Sequence, residues 1–308
     1  MASQKTHSQT MPIRFEVVEE IAKKLESLTP QQRVFAEYLL PSPESLAFLS
    51  ITDLAKEAGV SEATIVRFCH ALGYEGYASL SREIQQTIQV ELGTVGRFRL
   101  VREMRRESAE VVPASNFERV VNFEIENLVR LSKSVKTEEF YRCIKMMADA
   151  DRIVIVGCLS SNSLATYFGQ ALSKIVNQVD IVTGYDVLTS AVLQGLTRNS
   201  LAFLISFPRY PKMTVALGRL AALQGAQLVA ITNSHISPVV PLADLSFTLQ
   251  VGIPSFVDAY ASPVVFINAL LTELSEQHPN SSQQALMGYD AYAEQMDLFE
   301  LSKARLKK

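Results

Sequence analysis

The stretch that decides the fold is SITDLAKEAGVSEATIVRFCHALGYEGY, residues 50–77, which has the pattern of two short helices joined by a tight turn. Gly59 lies at the turn, where glycine adopts the left-handed backbone conformation that ends a helix. We expect Thr52 to cap the first helix and Ser61 to cap the second. The first helix then buries Leu54, Ala55 and Ala58. This pattern indicates a helix-turn-helix, whose second helix fits the DNA major groove.

The second helix is predicted to have two faces of opposite character. Its inward face is apolar: Ala63, Ile65, Val66, Phe68 and Leu72. Its outward face and the adjoining turn carry the candidate contacts with DNA: Thr52, Ser61, Glu62, Thr64, Arg67 and His70. Arg67 can read a guanine edge or bind a phosphate, and Glu62 can accept from cytosine or stabilise the helix dipole. An ordinary pair of helices with a solvated outer face satisfies the same spacing and stays open as the alternative.

Length and composition limit the class of protein. A chain of 308 residues is long enough for two domains, each with its own core. With 48% hydrophobic and 20% charged residues, its composition is that of a soluble globular protein. No apolar run approaches the roughly 18 residues that span a bilayer, and residues 1–15 lack the apolar core of a secretory signal. We therefore expect a cytoplasmic protein without a membrane partner.

The cysteines give no sign of a metal or redox site. Cys69, Cys143 and Cys158 are far apart, form no CxxC pair and have no cluster of histidines near them. A reducing cytosol fits this usage. We expect no disulfide, no metal and no cofactor.

The charge of the chain does not favour DNA binding by itself. The net charge is −3, and residues 1–110 hold 13 Lys and Arg against 15 Asp and Glu. Affinity for phosphates must therefore come from local placement of basic residues. One candidate is GRFRLVREMRR, residues 96–106, with five arginines against Glu103. A solvated linker helix explains that segment equally well.

The chain changes in character twice. Residues 14–92 carry apolar residues at helical spacing and show no strand pattern, which predicts an all-α domain around the helix-turn-helix. Residues 93–116 are polar and arginine-rich, as in an interdomain linker or a helix that bridges subunits. Residues 117–300 open with two amphipathic helices and then alternate short apolar strands with helices. Residues 1–13 are expected to form a disordered tail.

Five short apolar segments after Asp151 predict the strands of a parallel sheet. They are RIVIVG (152–157), DIVT (180–183), SLAFLIS (200–206), AQLVAIT (226–232) and LSFTLQV (245–251). Helical segments separate most of them, and a long helix over SPVVFINALLTELSEQ (262–277) follows the last. Alternating strands and helices are typical of a doubly wound α/β sheet with helices on both faces.

In such a sheet, ligands bind where the strands end and the loops enter helix N-termini. Three of these loops are rich in hydroxyl groups: residues 157–163, 206–211 and 232–237. Hydroxyls and free amides at helix N-termini bind phosphate, so the loops favour a small anionic metabolite, although any single loop can simply be a helix cap. The candidate effector-binding residues are Ser160, Ser161, Asn162, Ser206, Arg209, Tyr210, Thr232 and Ser234.

Together these segments resemble the RpiR (MurR/RpiR) family of bacterial transcriptional regulators over nearly all of residues 14–300. ITDLAKEAGVSEATIVRFCHALGYEGYASL (51–80) is similar to the family pattern throughout, including Arg67-Phe68-Cys69 and Leu72-Gly73-Tyr74. In the second half, ITNSHISPVVPLAD (231–244) resembles the loop after the fourth strand, and SFVDAYASPVVFINAL (255–270) resembles the entry to the final helix of the sheet domain.

The resemblance implies an all-α helix-turn-helix domain followed by a sugar-isomerase (SIS) domain, a doubly wound, flavodoxin-like α/β fold. It implies a bacterial cytoplasmic regulator, associated with the nucleoid when bound to DNA. Its partners would be a roughly palindromic duplex operator, a small anionic metabolite such as a phosphorylated sugar, and further copies of itself in a homodimer or homotetramer.

Two loops depart from the patterns of the family. The first usually reads G-x-G-x-S-x-x-x-A; Gly157, Ser161 and Ala165 match, but Leu159 replaces the second glycine. The second usually reads S-x-S-G-x-T, and in SFPRYP (206–211) only Ser206 remains. The two prolines of this loop lack a backbone donor. Arg209 either replaces the lost donors with a guanidinium grip on an anion or forms a structural ion pair.

Two other functions fit the same fold. One is a regulator whose SIS domain only oligomerises. The other is an aldose–ketose isomerase, which needs a base beside a group that polarises the carbonyl. His235 is the only histidine on a candidate loop, and Glu273 and Glu276 lie well inside the closing helix. Because no acid–base pair is evident, we expect no catalytic residues and no enzyme activity.

Overall fold

The computed structural model describes residues 15–47, 49–91, 93–98, 102, 115–252 and 257–300. The predicted tail, 1–13, and most of the arginine-rich segment 96–106 lie outside these residues. The chain divides into two compact units. One contains the described residues before 115 with those of 252–258, and the other contains 115–251 and the residues from 259 onward.

The first unit is helical over its described residues. Pro43–Ala47 forms a 3-10 turn, and residues 94–98 are also helical. Its helices are α1 (Glu16–Lys24), α2 (Pro30–Leu39), α3 (Ile51–Glu57), α4 (Glu62–Leu72) and α5 (Tyr77–Glu91). The predicted all-α character is confirmed for this part of the chain.

Helix α4 lies at the centre of the first unit and contacts α1, α2, α3 and α5. Ile65 and Phe68 are fully buried in its core. The ring of Phe68 meets Phe35 of α2 edge to face, with centroids 5.0 Å apart, a favourable geometry for two aromatic rings. The core therefore holds one side of α4 and leaves the opposite side exposed.

The second unit begins with two helices, α6 (Asn116–Ser134) and α7 (Thr137–Asp149). The strands that follow are β1 (Arg152–Val156), β2 (Val179–Val182), β3 (Ser200–Ile205), β4 (Gln227–Thr232) and β5 (Leu245–Thr248). The remaining helices are α8 (Asn162–Leu172), α9 (Val187–Gln194), α10 (Lys212–Leu223), α11 (Ala261–Gln277) and α12 (Pro279–Gln295).

The strands pair in the order β2-β1-β3-β4-β5, and every pair is parallel. This is the flavodoxin-like order, so the predicted doubly wound fold is confirmed. Alternate residues of β1 face opposite sides: Ile153 and Ile155 pack with α7, α8 and α11, whereas Val154 and Val156 pack with α9 and α10. Within the described residues, no helix has the length and apolar character needed to cross a membrane.

Candidate DNA-binding and effector sites

The turn between α3 and α4 forms largely as the sequence predicts. Gly59 has a φ of 65°, in the left-handed region that glycine adopts without strain. Ser61 caps α4, since its Oγ accepts a hydrogen bond from the backbone N–H of Thr64 at 3.1 Å. Gly73, with a φ of 101°, ends the helix. Helix α4 is thus fixed at both ends by local sequence.

Three predictions for this motif are wrong. Ser50, not Thr52, caps α3, and Thr52 lies inside that helix. Thr64 does not face outward: it is 6% exposed, and its hydroxyl lies 2.9 Å from that of Ser61. Ala63, predicted to be buried, is exposed. The buried positions of α4 are 64, 65, 68, 69 and 72. They recur at the helical spacing of three and four residues when the helix is counted from its N-cap, Ser61, and this is the signal in the sequence that identifies them.

The exposed side of α4 is formed by Ala63, Arg67 and His70, with Val66 half-buried between them. An imidazole nitrogen of His70 lies 3.0 Å from the carbonyl oxygen of Glu75, which orients the ring. The hydroxyl of Thr52, in the first turn of α3, donates to Glu62 Oε1 at 2.7 Å and links the two helices. The small Ala63 presents a methyl group, which suits contact with thymine.

One arginine of the basic segment is not available to DNA. Arg97 is 4% exposed and its Nη1 donates to Asp258 Oδ1 at 3.0 Å within the first unit. The proposed contribution of the rest of 96–106 to phosphate binding stays a prediction.

In the second unit, the sheet brings the candidate loops to one edge. Val156 of β1 is in register with Leu204 of β3, and Ile205 of β3 with Ile231 of β4. Ser206 directly follows β3 and Thr232 is the last residue of β4. The backbone N–H of Ser206 donates to the carbonyl oxygen of Ile231 at 3.0 Å, so Ser206 and Thr232 lie side by side at about 4.8 Å, the spacing of neighbouring strands. The loop after β1 contacts the start of α10, where the Thr214 hydroxyl accepts from the backbone N–H of Cys158 at 3.3 Å.

Five buried hydroxyls lie at the carboxyl ends of the strands or in the loops and helix starts that follow them. None of the five has a hydrogen-bond partner among the described residues. We call them the edge hydroxyls: Ser161, Ser206, Thr232, Ser237 and Ser262, each 0% exposed. Three of them were predicted from sequence. Ser237 and Ser262 were missed, although both lie within the two segments of the second half that carry the family resemblance.

The other predicted effector residues lie around this group with different roles. Ser160, Asn162 and Arg209 are exposed, and the Asn162 side-chain oxygen accepts from the Thr166 hydroxyl at 2.8 Å. Ser234 is 7% exposed, and its Oγ accepts from a backbone N–H at 3.3 Å. None of these assignments is tested by the geometry.

Tyr210 is half-buried on the loop after β3. Its hydroxyl donates to Asn233 Oδ1 at 2.9 Å. Burial raises the pKa of Tyr210 to about 12, so the phenol keeps its proton and acts as a donor. The loops after β3 and β4 are therefore tied together beside the edge hydroxyls.

The groups considered for catalysis are poorly placed. His235 is exposed, and Glu273 lies about 18 Å along α11 from its first residue, at 1.5 Å per residue. Burial raises the pKa of the Cys69 and Cys143 thiols to about 12, so neither supplies a thiolate. Among the described residues, no cluster of three or more His, Cys, Asp or Glu side chains could hold a metal ion.

Two family models match the two units. The model described as "Helix-turn-helix domain, rpiR family" matches residues 15–91, and the model described as "SIS domain" matches residues 146–273. Both matched regions carry the elements described above, in the expected order. The chain belongs to the RpiR family. It is a DNA-binding transcriptional regulator with a SIS domain.

Two relatives of this RpiR-family chain are named as transcriptional regulators. An uncharacterized HTH-type transcriptional regulator of Haemophilus influenzae is 29% identical over 231 residues, covering 74% of this chain and 77% of the relative. The HTH-type transcriptional regulator HexR of Escherichia coli is 28% identical over 258 residues, covering 83% of this chain and 84% of HexR.

Two solved structures share the fold. The NanR protein of Vibrio vulnificus, complexed with ManNAc-6P, has a TM-score of 0.55 at 19% identity and covers 92% of this chain and 100% of NanR. The sugar isomerase domain of an RpiR transcription factor from Sphaerobacter thermophilus has a TM-score of 0.53 at 24% identity and covers 56% of this chain and 96% of that domain.

The departure from the RpiR pattern at Leu159 lies at a position with a left-handed backbone. Leu159 has a φ of 55°, a conformation that glycine, the residue of the family pattern, adopts with less strain than leucine. Its side chain is 79% exposed. The nearby Gly157 cannot be replaced so easily, because an added Cβ would lie 2.7 Å from the backbone oxygen of Ser161.

Proposed function

We propose that this regulator recognises a specific DNA sequence and that its SIS domain binds a small anionic metabolite at the edge hydroxyls. The five buried, unpartnered hydroxyls carry the second half of the proposal. Each costs about 1–3 kcal/mol while it lacks a partner. That cost is offset when a ligand supplies the hydrogen bonds, so five such hydroxyls at one edge of the sheet support a binding site there.

The DNA contacts come from α4 and the turn before it. Arg67 and His70 face the bases or phosphates of the major groove, with Ala63 beside them. Thr52, in the first turn of α3, and Ser61 and Glu62, at the start of α4, flank these contacts. The side chain of Thr64 supports the Ser61 cap instead of contacting DNA, because it is buried.

Oligomerisation of the SIS domain is supported by α6. Its exposed side carries an apolar residue at every fourth position: Phe117, Val121, Ile125 and Val129, which are 77%, 38%, 52% and 51% exposed. An apolar stripe of this kind is typical of a surface that another subunit covers. A homodimer or homotetramer would place two recognition helices on a roughly palindromic operator.

The remaining assignments follow from the same proposal. The regulator acts in the bacterial cytoplasm and at the nucleoid, and its domains are 14–92 and 117–300, with a tail over 1–13 and a linker over 93–116. The effector is an anion such as a phosphorylated sugar; a neighbour of the same fold is complexed with ManNAc-6P. We propose no catalytic role. Turnover of a hexose or pentose phosphate that is lost in His235→Ala would contradict this.

The effector half is tested by thermal-shift measurements on the full chain with sugar phosphates, other phosphorylated metabolites and small carboxylates. A true effector at 100 times its Kd stabilises the protein by about 2.7 kcal/mol and raises its Tm. We expect Ser206→Ala and Thr232→Val to reduce that shift, and Ser173→Ala, on the exposed end of α8, to leave it unchanged. No shift with any compound, and DNA binding unaffected by all of them, would favour a SIS domain that only oligomerises.

The DNA half is tested by selecting duplexes from a random library with the full chain. An enriched sequence with two-fold symmetry is expected. Retention of random duplexes without enrichment would contradict sequence-specific recognition.

A further inference from the structure

Polar groups are buried where α6 meets the first turn of α11. The backbone N–H of Ala261, the first residue of α11, donates to Glu124 Oε1 at 3.2 Å. The second oxygen of the same carboxylate, Oε2, is buried and has no partner among the described residues. One half of the Glu124 carboxylate therefore fixes the helix entry, and the other half can accept a hydrogen bond.

Two more unpartnered groups lie at this junction. Asn127 follows Glu124 by three positions on α6, so the two side chains share a face of the helix. Asn127 is 2% exposed, and its Nδ2 donor has no partner in the described part of the chain. Ser262 follows Ala261 on α11, is 0% exposed, and is one of the edge hydroxyls. The junction thus offers one acceptor, one donor, and one hydroxyl that can be either.

This junction adjoins the loop after β3. Tyr260, directly before α11, has its ring centroid 5.6 Å from that of Phe207, and Phe207 follows Ser206. We therefore place the polar groups of this junction beside the edge hydroxyls, on the side where α11 begins. They are Glu124, Asn127 and Ser262, and they are far from Arg209 in sequence.

We propose that Glu124, Asn127 and Ser262 form a second subsite that binds the uncharged end of the effector, a group that both donates and accepts hydrogen bonds, as a hydroxyl does. This inference rests on the proposed effector site and adds a contact outside the strand loops. It makes α6 a ligand-binding element, and α6 is the first helix of the second unit.

The negative charge of Glu124 makes the subsite selective for an uncharged group of the ligand. A hydroxyl donates to Oε2 and accepts from Asn127, whereas a second anionic group would face the carboxylate and be repelled at low effective dielectric. The effector is then anionic at one end only. A compound with a phosphate at one end and a carboxylate at the other is rejected.

Three probes of similar length separate these features: sorbitol 6-phosphate, hexyl phosphate and 6-phosphogluconate. Their Kd values for the full chain are measured by calorimetry. We expect sorbitol 6-phosphate to bind roughly ten- to a hundredfold more tightly than the other two, the range given by hydrogen bonds to a charged group. Glu124→Gln should weaken sorbitol 6-phosphate about tenfold and strengthen 6-phosphogluconate, because the amide removes the repelling charge.

Glu126→Gln is the matched control, since Glu126 is exposed on the same helix and is 3.6 Å from Arg130. It should leave all three Kd values unchanged. Ser262→Ala removes a single oxygen atom and provides a second variant if Glu124→Gln does not fold. It should weaken sorbitol 6-phosphate and leave hexyl phosphate unchanged.

The outcomes separate this inference from the proposed effector site. If hexyl phosphate binds the wild type as tightly as sorbitol 6-phosphate, the subsite is overturned while the anion site stands. The same holds if neither Glu124→Gln nor Ser262→Ala changes the ratio of their Kd values. If the wild type binds none of the probes, both the anion site and the subsite are overturned.

Discussion

Replacing Arg67 with alanine separates DNA recognition from folding. Arg67 is exposed on α4 and has no hydrogen bond or ion pair to any residue that the structure describes. Its removal leaves the core of the first unit intact, and alanine is a better helix former. We therefore expect the free energy of unfolding to change by less than about 0.5 kcal/mol.

The cost to DNA binding is larger and depends on what Arg67 contacts. A bidentate contact with a guanine is worth about 1–3 kcal/mol, or roughly 5- to 150-fold in Kd. In a two-fold dimer the residue is lost twice, so the total reaches about 2–6 kcal/mol if the half-sites are independent. A phosphate contact would lower affinity for every duplex and reduce the salt dependence by about one counterion for each contact.

Fluorescence anisotropy with a selected duplex and its scrambled version, between about 50 and 200 mM salt, distinguishes the two cases. Loss confined to the selected duplex indicates a base contact, and equal loss on both indicates a phosphate contact. Arg219→Ala is the matched control: it removes an exposed arginine of α10 and changes the net charge equally. Unchanged affinity of both Arg67→Ala and the double variant with His70→Ala would refute the placement of α4 in the groove.

Four further changes test the structure elsewhere. Ser61→Ala should lower the free energy of unfolding by about 1 kcal/mol in denaturant titrations, because it removes the 3.1 Å cap of α4. Gly157→Ala should lower it by about 1–3 kcal/mol, since the new Cβ would lie 2.7 Å from a backbone oxygen; Gly184→Ala, with no atom within 4 Å, should be nearly neutral. Ile125→Glu should shift the oligomer towards monomer in analytical ultracentrifugation, and an unchanged mass would remove α6 from the interface. Arg209→Lys keeps the charge but loses the planar grip, so it should weaken a phosphorylated effector about tenfold if Arg209 holds the anion; a lower Tm with unchanged ligand affinity would instead indicate a structural ion pair.

The central strands of the sheet, β1, β3 and β4, were predictable because they are buried on both faces. Every residue of Ser200–Ile205 is buried, so β3 reads as an almost continuous apolar run. The flanking helices were predicted from apolar residues at helical spacing. Strands β1, β3 and β4 end within two residues of the predicted positions. Because parallel strands end at one edge, the sequence also predicted that the candidate effector loops lie together.

Contacts between distant segments were not predictable in this way. Glu124 and Ala261 are 137 positions apart, and nothing in the local pattern of α6 indicates that its carboxylate reaches α11. Thr64 was misplaced for a different reason: a polar side chain was assumed to face solvent, but the Ser61 cap gives its hydroxyl a partner inside the unit. A polar side chain can be buried when the folded chain gives it a hydrogen-bond partner, so polarity alone does not predict whether it is exposed.

The replaced loop after β3 changes how this site would hold an anion. In the family pattern, hydroxyls and a glycine amide contribute, but Pro208 and Pro211 have no N–H, and Ser206 alone retains its hydroxyl. The donors that remain in and beside this loop are side chains: the edge hydroxyls and the Arg209 guanidinium, since the Tyr210 phenol already donates to Asn233. A guanidinium binds the paired oxygens of a carboxylate as readily as those of a phosphate. We therefore expect the loss of backbone donors to widen the range of anionic head groups, and the proposed subsite, where Glu124 contacts α11, to select the other end of the ligand.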